Sequence, residues 1–456
     1  MKNRAREIAD IIKDSEQIHI VTHIDADGIT AGAIAYKTLE RLNKNNTIEF
    51  VKSLDENVIR TLKKKNYELT WFTDLGSSIC GKVEDLKIIV TDHHTCPDKS
   101  NFPYHLNPHL FDIDGAYEIS GAGSTYLVSK QIDKKNVDLS PLAIVGACGD
   151  LQDKRFNKLS GLNTEILKDA EKSNLIERKI DISFFGRETR PIHKLLQFSN
   201  NPKIPGITGR ENSCINLLKE LKIQIKSGDK WRRWIDLTKD ERKKIISKIA
   251  NILIEKGFGY DLTKQIIGEV YILKNEVEGT VLHDAKEYAT LLNSTARYGQ
   301  YDVGLKVCLG DREKYLEKSL NLLQGHRANL VEGLQFIKQE GIFKMEFLQY
   351  FHAKNSIQDT IVGIIANMLL NTEDVDNSIP IIGFAYNDNG EVKVSARATK
   401  DLVDKGLNLS SALKKTAKIF NGVGGGHNIA AGATIPKGKE KEFLNILETE
   451  IKSQLL

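Results

Sequence analysis

Short apolar runs alternate with longer helical stretches along the first 150 residues of the chain. The runs IHIVTH, TIEFVKS, LTWFTDLG, KIIVTDHH and LAIVGACGD contain β-branched residues and are bounded by polar ones, which predicts β-strands. Parallel strands need a crossover between them, so strands that alternate with helices favour a parallel sheet flanked by helices. The pattern therefore predicts an α/β fold, with a parallel-sheet domain over residues 1–190.

Helical character dominates residues 191–300, which we interpret as an inserted, mainly helical region. Near its start lies the loop-like stretch FSNNPKIPGITGREN, and a helix with clear end signals follows. Thr238 and Glu241 have the spacing of a capping box, in which each side chain bonds the backbone N–H group of the other. Gly257 marks the predicted end of this helix, because glycine commonly follows a helix C-terminus.

A second long helical pattern, REKYLEKSLNLLQGHRANLVEGLQFIKQEG, is interrupted only by Gly325 and Gly333. It predicts a stiff helical connector over residues 301–340. Strand character returns in IPIIGFAY and EVKVSARAT. Residues 341–456 are therefore predicted to form a second, smaller α/β domain, which the connector joins to the first.

Acidic and imidazole side chains follow the predicted strands at the points where the strands end. These side chains are His23, Asp25, Asp27, Asp74, Asp92, His93, His94 and Asp150. The carboxyl ends of parallel strands meet at one edge of a sheet, so we expect these groups to converge there. Taken alone, HIDADG is also compatible with a surface turn, since Asp and Gly are common turn formers. A calcium loop of the EF-hand type is disfavoured because its later ligand positions are missing.

So many carboxylates in one crevice would repel one another unless cations lay between them. Mixed Asp and His ligands suit a pair of octahedral divalent ions, with Mn²⁺ favoured and Mg²⁺ as the alternative. Zinc bound by thiolates is excluded because no cysteine pair accompanies the cluster. Two such ions about 3.5–4 Å apart serve phosphoryl chemistry: they activate a water molecule and neutralise charge that develops on phosphate oxygens.

The composition shows no strong bias. The 456 residues suffice for two or three domains, and 65 basic against 61 acidic residues give a net charge of only +4. No window approaches the ~20 apolar residues of a membrane span, and the first residues lack the apolar core of a signal peptide. The cysteines are scattered without a CxxC pair, which fits reduced thiols in a cytoplasmic protein with no membrane association. They are Cys80, Cys96, Cys148, Cys214 and Cys308.

Four of these motifs, HIDADG, TDLG, TDHH and GACGD, resemble in order and spacing the metal motifs of the DHH phosphoesterases. Within that family the chain is similar to the RecJ-like single-strand exonucleases, and the resemblance continues through LNPH and SGAGSTYLV to the carboxyl terminus. It implies a parallel-sheet DHH domain and a smaller DHH-associated domain joined by the helical connector.

The resemblance also implies a role for each of the clustered residues. One ion would be held by His23, Asp25 and Asp74. The other would be held by Asp27, Asp74, His93 and Asp150, so that Asp74 bridges the two ions. Catalytic roles would fall to Asp74, to His94, which would face the scissile phosphate, and to Asp92, which would orient a ligand.

A glycine-rich stretch, FNGVGGGHNIAAGATI, lies near the carboxyl terminus. Glycines in this number reduce stability unless the backbone must approach something closely, and freed N–H groups can cradle an anion. We expect the small residues after them to start a helix whose amino end adds positive potential; a plain tight turn is the alternative. The stretch resembles the DHH-associated domain, whose substrate-binding residues would be Arg397, Gly424, Gly425, Gly426 and His427.

Two further segments are candidates for nucleic-acid contacts. LLNSTARYGQYDVGL resembles the segment in which RecJ proteins place an Asn and an Arg near the nucleotide, which gives Asn293 and Arg297; a surface helix is the alternative. In DKWRRW, Trp231 and Trp234 would stack bases among cationic residues, or else form the packing face of a helix.

The stretch FGRETRPIHKLL resembles the archaeal branch of the family, and we expect no oligonucleotide-binding barrel after the closing domain. That branch implies association with the GINS replication complex and kinship to an inactive helicase cofactor of eukaryotes. The leading interpretation is a Mn²⁺-dependent exonuclease of DNA replication or repair that removes mononucleotides from single-stranded DNA or RNA. The alternatives are a phosphodiesterase for oligoribonucleotides or cyclic dinucleotides, and a non-catalytic replication scaffold.

Overall fold

The computed structural model describes residues 1–79, 83, 86–96, 104–199, 201–370, 372 and 375–456. Cys80 lies outside the described residues. The chain divides into two compact units, Met1–Leu322 and Leu323–Leu456, and each is described by itself.

The first unit contains a five-stranded parallel sheet. Its strands are β1 (Gln17–His23), β2 (Asn45–Val51), β3 (Leu69–Thr73), β4 (Ile88–Thr91) and β5 (His105–Leu106), in the spatial order β2-β1-β3-β4-β5. Every residue of β3 and β4 is buried, as expected for central strands covered by helices on both faces. The strand order reverses between β1 and β3. Open α/β sheets bind their ligands outside the carboxyl ends of the strands at such a reversal.

Helices flank this sheet. They are α1 (Lys2–Asp14), α2 (Ala26–Arg41), α3 (Glu56–Lys65), α4 (Gly121–Ile132), α5 (Ser140–Gly149) and α6 (Gly161–Lys172), with 3₁₀ turns at Pro108–Phe111 and Lys134–Leu139. Helix α2 follows β1 directly and packs against both α4 and α5. The α/β fold and the parallel sheet predicted from the hydrophobic pattern are confirmed.

One of the predicted strands is wrong. LAIVGACGD forms helix α5, so Asp150 lies at the end of a helix and not after a strand. A short apolar run does not distinguish a buried strand from a buried helix. Small residues decide this case: a Cβ atom at Gly146 would lie 2.3 Å from Asp27 Oδ1, and one at Gly149 would lie 2.8 Å from Ala26 Cβ. The close packing of α5 on α2 therefore depends on these glycines.

The following region is a helical subdomain with short sheets. It comprises β6 (Ile176–Ile182), α7 (Ile192–Gln197), α8 (Glu211–Glu220), β7 (Lys226–Ser227), β8 (Lys230–Trp231), α9 (Lys239–Glu255), α10 (Tyr260–Lys264) and β9 (Ile267–Leu273). Strands β6 and β9 pair antiparallel, and so do β7 and β8. The capping box of Thr238 and Glu241 is confirmed at the start of α9. The helix ends just before Gly257, which has a left-handed φ of +79°.

The DKWRRW segment is not helical, so the expectation of two tryptophans on one helix face is wrong. Trp231 lies in β8 and is 43% exposed, whereas Trp234 is fully buried in the core of the subdomain. The indole N–H of Trp234 donates to Asp181 Oδ1 at 3.0 Å. Of the two aromatic rings, only that of Trp231 is accessible for stacking.

Three helices complete the first unit and begin the second. They are α11 (Ala285–Arg297), α12 (Tyr301–Cys308) and α13 (Lys314–Glu340). Helix α13 runs uninterrupted through Gly325 and Gly333, as the long helical pattern predicted. It extends across the division between the two units at residue 322. No described helix combines the length and apolar character that crossing a membrane requires.

The second unit is built on a six-stranded mixed sheet. Its elements are β10 (Phe343–Lys344), β11 (Gln349–His352), α14 (Val362–Leu369), β12 (Ile381–Tyr386), β13 (Glu391–Arg397), α15 (Lys400–Asp404), α16 (Leu409–Ile419), β14 (Val423–Gly426), β15 (Ala430–Pro436) and α17 (Glu440–Leu455). The strand order is β10-β11-β12-β13-β15-β14. Helices α16 and α17 contribute Leu413 and Phe443 to a buried core with the sheet.

The helix expected after the glycine-rich stretch is absent, and that prediction is wrong. The residues concerned form strand β15, which pairs with β13 on one side and with β14 on the other. Buried and partly exposed positions alternate along Ala430–Pro436, as in a strand. Small residues with high helix propensity therefore form a strand here because tertiary pairing overrides local preference.

Candidate metal centre

The turn between β1 and α2 supplies the first three acidic or imidazole groups. His23 is the last residue of β1, and Asp25 is the N-cap of α2, where its Oδ1 accepts from the N–H of Gly28 at 3.0 Å. A Cβ atom at Gly28 would lie 2.2 Å from the carbonyl oxygen of His23, so the tight turn requires glycine. The strand and the helix N-cap thus bring two side chains to one end of the sheet.

Asp27 is held at the amino end of another helix. Its Oδ2 accepts from the N–H of Gly121 at 2.6 Å, and its Oδ1 accepts from the N–H of Ala122 at 3.0 Å, both in the first turn of α4. The positive end of the helix dipole favours a carboxylate there. Burial, followed by the charges of Asp74 and Asp150, nevertheless raises the pKa of Asp27 well above its usual value. The local negative charge is therefore not fully balanced by the chain itself.

Asp74 occupies the centre of the cluster. It follows β3, is 1% exposed, and has a left-handed backbone with φ of +59°. Such a conformation costs about 1–3 kcal/mol in a non-glycine residue and is found disproportionately at functional sites. A Cβ atom at Gly121 would lie 2.3 Å from Asp74 Oδ1, so the glycine makes room for the carboxylate. Burial opposes ionisation, but the neighbouring His23 and His93 rings lower the pKa of Asp74.

His93 directs one ring nitrogen into the cluster. Its Nδ1 lies 2.7 Å from the carbonyl oxygen of Gly115, which can only accept, so Nδ1 donates and Nε2 faces the carboxylates. Nε2 lies 3.0 Å from Asp150 Oδ2, 3.3 Å from Asp74 Oδ1 and 3.7 Å from Asp27 Oδ2. This arrangement, in which a backbone carbonyl fixes the other nitrogen, is typical of a histidine that binds metal.

Asp92 and His94 form a pair at the edge of the cluster. Asp92 Oδ1 lies 2.8 Å from His94 Nδ1 and accepts from the backbone N–H of His93 at 2.7 Å, while Oδ2 accepts from the N–H of Ser77 at 2.9 Å. The His94 side chain is 55% exposed, and its bond to Asp92 raises its pKa. Asp92 thus orients an accessible imidazole and favours its protonated form, with Nε2 left to meet a ligand from solvent.

The ligand atoms converge in three overlapping groups whose atoms lie within 4.8 Å of one another. The groups are Asp74-His93-His94, His23-Asp25-Asp74 and Asp27-His93-Asp150. The metal-ligand and catalytic residues predicted from the sequence are therefore close together, although the role of each stays a prediction.

The donor atoms fit divalent cations. His23 Nδ1, both carboxylate oxygens of Asp74 and His93 Nε2 are buried and lie within ion-pair distance of one another or of Asp25 and Asp150, but none has hydrogen-bond geometry. Buried polar atoms almost always have hydrogen-bond partners or ligands. Four such atoms that converge on one place therefore indicate a ligand, such as a cation, between them. Without cations, bound protons offset the negative charge of the carboxylates. Burial of His23 opposes its protonation, but Asp25 and Asp74 raise its pKa to about 11. A mixed set of carboxylate and imidazole donors suits Mn²⁺, and an oxygen-rich one suits Mg²⁺.

Asn293 and Arg297 lie on α11, beside the turn that carries Asp25 and Asp27. Asn293 Oδ1 accepts from the N–H of Ala26 at 3.0 Å. Most side chains of α11 are buried, so the surface-helix alternative is wrong. Burial lowers the pKa of Arg297, and the charge of Asp25 opposes that shift. Their contact with a nucleotide stays a prediction, whereas the bond of Asn293 to the metal-site turn was not foreseen.

The predicted substrate-binding residues of the second unit lie on β13 and around β14. Arg397 is the last residue of β13. A Cβ atom at Gly363 would lie 2.6 Å from Arg397 Nη2, so the glycine in α14 leaves space for the guanidinium. The backbone N–H of exposed His427 donates to the carbonyl of Ala430 at 2.8 Å, which closes a tight turn between β14 and β15. The tight-turn alternative therefore describes this part of the segment.

The requirement for glycine differs among the three consecutive glycines of β14, Gly424, Gly425 and Gly426. A Cβ atom at Gly424 would lie 2.6 Å from the carbonyl oxygen of Leu413 in α16, and Gly426 has a positive φ of +136°. A Cβ atom at Gly425 would meet no described atom within 4 Å, and its backbone needs no positive φ. Close packing and a positive φ thus explain two of the glycines. At Gly425, which pairs with Gly432 of β15, neither applies, and the space beside its Cα is open.

Several residues that support the cluster were not foreseen. Ser77, Gly115 and Gly121 contribute backbone groups to Asp92, His93 and Asp27 respectively. Gly121 lies in the SGAGSTYLV motif. This motif forms the N-terminus of α4, which holds Asp27, and that contact is the physical reason for the motif. Ser77 and Gly115 occur in ordinary loop sequences that gave no such signal.

Three family profiles match parts of the chain. "DHH family, N-terminal domain" matches residues 17–147, "DHH-CID domain" matches residues 184–267, and "DHHA1 domain" matches residues 346–453. Over nearly its whole length the chain is similar to uncharacterized protein MJ0831 of Methanocaldococcus jannaschii. The two are 33% identical over 451 residues, which cover 96% of this chain and 94% of that protein.

Solved structures show the same fold at low sequence identity. RecJ of Thermus thermophilus in complex with Mn²⁺ is similar with a TM-score of 0.60 at 16% identity; the match covers 99% of this chain and 55% of RecJ. The chain thus spans about half the length of that relative. The same RecJ has also been solved in complex with Mg²⁺. CDC45 of Entamoeba histolytica is similar with a TM-score of 0.68 at 13% identity, over 99% of this chain and 97% of CDC45.

Proposed function

Since the chain belongs to the DHH family and has the RecJ-like architecture, we propose that it is a divalent-metal-dependent exonuclease that hydrolyses single-stranded DNA to mononucleotides. The RecJ-like DHH fold supports a phosphoesterase of the nuclease type. The observation that carries the proposal is the set of buried carboxylate and imidazole ligand atoms that converge around Asp74. RNA is included as a second substrate, because no contact among the described residues of the site distinguishes the two sugars.

Mn²⁺ is the proposed cofactor, with Mg²⁺ as the alternative. One ion would be held by His23, Asp25 and Asp74, and the other by Asp27, Asp74, His93 and Asp150. When bound, the pair would lower the pKa of a water molecule and offset the charge that develops on the phosphate. The donor set supports this assignment, and so does the fact that a RecJ of this fold has been solved with each of the two ions.

The chain's own residues have distinct tasks in this proposal. Asp92 holds the His94 ring through Nδ1, so that Nε2–H donates a hydrogen bond to an oxygen of the scissile phosphate. The carbonyl of Gly115 fixes the ring of His93 so that Nε2 stays directed at the carboxylates. The α4 N-terminus holds Asp27 in place. These contacts exist before substrate arrives, so the geometry needs little rearrangement during reaction.

The second unit is proposed to bind the phosphate backbone of the substrate. Arg397 is suited to this because its planar fork holds two phosphate oxygens together. Gly425 leaves open the space that a side chain would fill, and the exposed His427 lies in the turn after β14. In the first unit, Asn293 and Arg297 are proposed to contact the nucleotide near the metal-ligand cluster.

Two other functions compete with this proposal. A phosphodiesterase for oligoribonucleotides or cyclic dinucleotides would use the same metal site, and substrate length distinguishes it. A non-catalytic replication scaffold is supported by the fold likeness to CDC45. The clustered ligand atoms argue against the scaffold, since burying several carboxylates close together is costly in a chain that holds no cation. Association with the GINS replication complex, which the resemblance to the archaeal branch of the family implies, is part of the proposal, and the fold likeness to CDC45 points to the replication machinery in general.

The proposal is tested with end-labelled ladders of single-stranded DNA and RNA, digested with Mn²⁺, with Mg²⁺ and with chelator. We expect Mn²⁺-dependent shortening of long strands to mononucleotides. Activity confined to substrates of about 2–5 nucleotides would favour the phosphodiesterase. No hydrolysis of any substrate by a protein that binds Mn²⁺ would favour the scaffold.

A further inference from the structure

The turn that follows α5 buries the side chain of Gln152. Helix α5 ends at Gly149, and Leu151 has a left-handed backbone with φ of +58°. The N–H of Gln152 donates to the carbonyl of Ala147 at 3.0 Å, the bond that closes a helix when a left-handed residue follows it. Glycine is usual at such a position, so Leu151 keeps a conformation that its side chain disfavours. The result is a polar side chain that is 0% exposed.

Both ends of the buried Gln152 amide have partners. Its Nε2 donates to the carbonyls of Gly115 at 2.9 Å and of Ile119 at 3.1 Å, and its Oε1 accepts from Asn163 Nδ2 at 2.6 Å. A carbonyl oxygen can only accept, so the two carbonyls determine which end of the amide carries the nitrogen. The amide is therefore fixed in one orientation, with its N–H groups directed at the loop that precedes α4.

The Gly115 carbonyl receives a second hydrogen bond, and this one comes from a proposed metal ligand. His93 Nδ1 lies 2.7 Å from the oxygen to which Gln152 Nε2 donates. A carbonyl oxygen has two lone pairs and can accept both bonds. Gly115 lies in a loop outside the helices and strands, so its position depends on contacts of this kind. A buried amide thus holds the atom that fixes the His93 ring.

The contacts of Gln152 close a ring that contains two proposed ligands of the same ion. Asp150 lies two residues before Gln152 in the chain, and its Oδ2 lies 3.0 Å from His93 Nε2. The other nitrogen of His93 bonds Gly115, which in turn bonds Gln152. One short turn of the chain and two buried hydrogen bonds therefore constrain the distance between the Asp150 carboxylate and the His93 ring.

We propose that Gln152 is a positioning residue, which keeps His93 and Asp150 in the arrangement that binds the ion they share. The inference rests on the two-ion assignment of the proposed function, and it adds a residue that touches neither metal nor substrate. His23 and Asp25 are assigned to the other ion alone, and they are not part of the ring. Removal of the amide should therefore weaken one Mn²⁺ site and spare the other.

The expected magnitude is that of a supporting contact at a metal site. Loss of such a contact typically lowers metal affinity about 10- to 100-fold. Gln152→Met keeps the length of the side chain and removes both amide N–H donors. Asn163→Ala is the second variant, because it keeps these donors and removes only the partner of Gln152 Oε1. We expect it to weaken the same ion by a smaller factor.

Calorimetric titration of Mn²⁺ into metal-free protein measures the two affinities. The wild type should bind two ions, and Gln152→Met should bind one of them as before and the other about 10- to 100-fold more weakly. At a Mn²⁺ concentration that just fills both wild-type sites, the EPR spectrum of the variant should be that of an isolated ion, without exchange coupling to a neighbour. Gln131→Met is the matched control, since Gln131 lies in α4 outside the ring, and both affinities should match the wild type.

A merely structural role for Gln152 would lower Tm and weaken both ions alike, and that result overturns the inference. Wild-type affinities for both ions in Gln152→Met also overturn it, while the nuclease function stands. If Gln152→Met does not fold, Asn163→Ala decides by the same criterion. If the wild type binds two Mn²⁺ ions but hydrolyses no strand, the proposed function fails and the titrations still decide the role of Gln152. Fewer than two ions in the wild type would overturn both the inference and the two-ion assignment.

Discussion

Replacement of the Asp74 carboxylate by a carboxamide should abolish activity at little cost in shape. Asp74 belongs to two of the three ligand groups, and both of its oxygens are buried without a hydrogen bond. Asparagine tolerates the left-handed backbone that this position requires, since its φ is +59°. Asp74→Asn therefore keeps the volume and the backbone while it removes one negative charge from the centre of the cluster.

The expected magnitude follows from the shared position of Asp74. Loss of a single supporting partner at a metal site typically lowers affinity about 10- to 100-fold. Since Asp74 would serve both ions, the joint loss is about 100- to 10,000-fold, or about 3–5 kcal/mol at 1.36 kcal/mol per factor of ten. At Mn²⁺ concentrations that just saturate the wild-type protein, Asp74→Asn should retain less than about 1% of the wild-type rate.

The assay combines single-turnover hydrolysis of an end-labelled strand with calorimetric titration of Mn²⁺ into each protein. Asp112→Asn is the matched control, because Asp112 is an exposed aspartate with a similar left-handed φ of +55° that lies outside the ligand groups. We expect it to match the wild type in rate and in Mn²⁺ binding. The two-ion assignment is refuted if Asp74→Asn keeps more than about a tenth of the wild-type rate with Mn²⁺ binding intact.

Three further predictions concern protons, stability and substrate binding. First, Mn²⁺ binding should release protons near neutral pH, because Asp25 and Asp74 raise the pKa of His23 to about 11 and a metal-bound imidazole must lose its proton. Mn²⁺ affinity should therefore rise with pH. Calorimetric titrations in buffers of different ionisation enthalpy measure the proton release, and finding none would contradict the prediction. Second, burial and the neighbouring Asp284 raise the pKa of Glu287 to about 7, so the wild type loses stability as pH rises from the unfolded value of about 4.3 through 7. Chemical denaturation should therefore show Glu287→Gln gaining up to about 3 kcal/mol over the wild type between pH 5 and pH 8, and a constant difference would show that Glu287 does not titrate there. Third, Arg397→Ala and His427→Ala should raise KM for single-stranded DNA with Mn²⁺ stoichiometry unchanged; loss of Mn²⁺ from either variant would contradict the separate roles of the two units.

The parts of the fold that local pattern predicts well are the strands of the parallel sheet. β1, β3 and β4 are short apolar runs that end in His or are followed at once by Asp, and their burial on both faces makes each apolar run nearly continuous. The capping box of α9 was visible for the same reason, since both of its residues lie within one turn. Most signals that are contained in a few neighbouring residues were therefore confirmed, although the run LAIVGACGD was not.

Contacts between distant segments decided the remainder. The run before Asp150 forms a helix because glycines allow α5 to pack on α2, and the residues after the glycine-rich stretch form a strand because β13 and β14 pair with them. Asn293 bonds to Ala26 across 267 residues, which no local pattern could show. The clustering of the metal-site residues was predictable because sheet topology brings strand ends together, whereas their supporting hydrogen bonds were not.

A pair of substrates that differ only in their ends tests the central proposal most directly. A linear single strand and the closed circle of the same sequence are incubated separately with wild-type protein and Mn²⁺, and the products are separated by length. The proposed function predicts mononucleotides from the linear strand, at a rate that falls as salt rises, and an intact circle. Cleavage of the circle, or a linear strand left uncut by protein that binds Mn²⁺, would contradict a single-strand exonuclease.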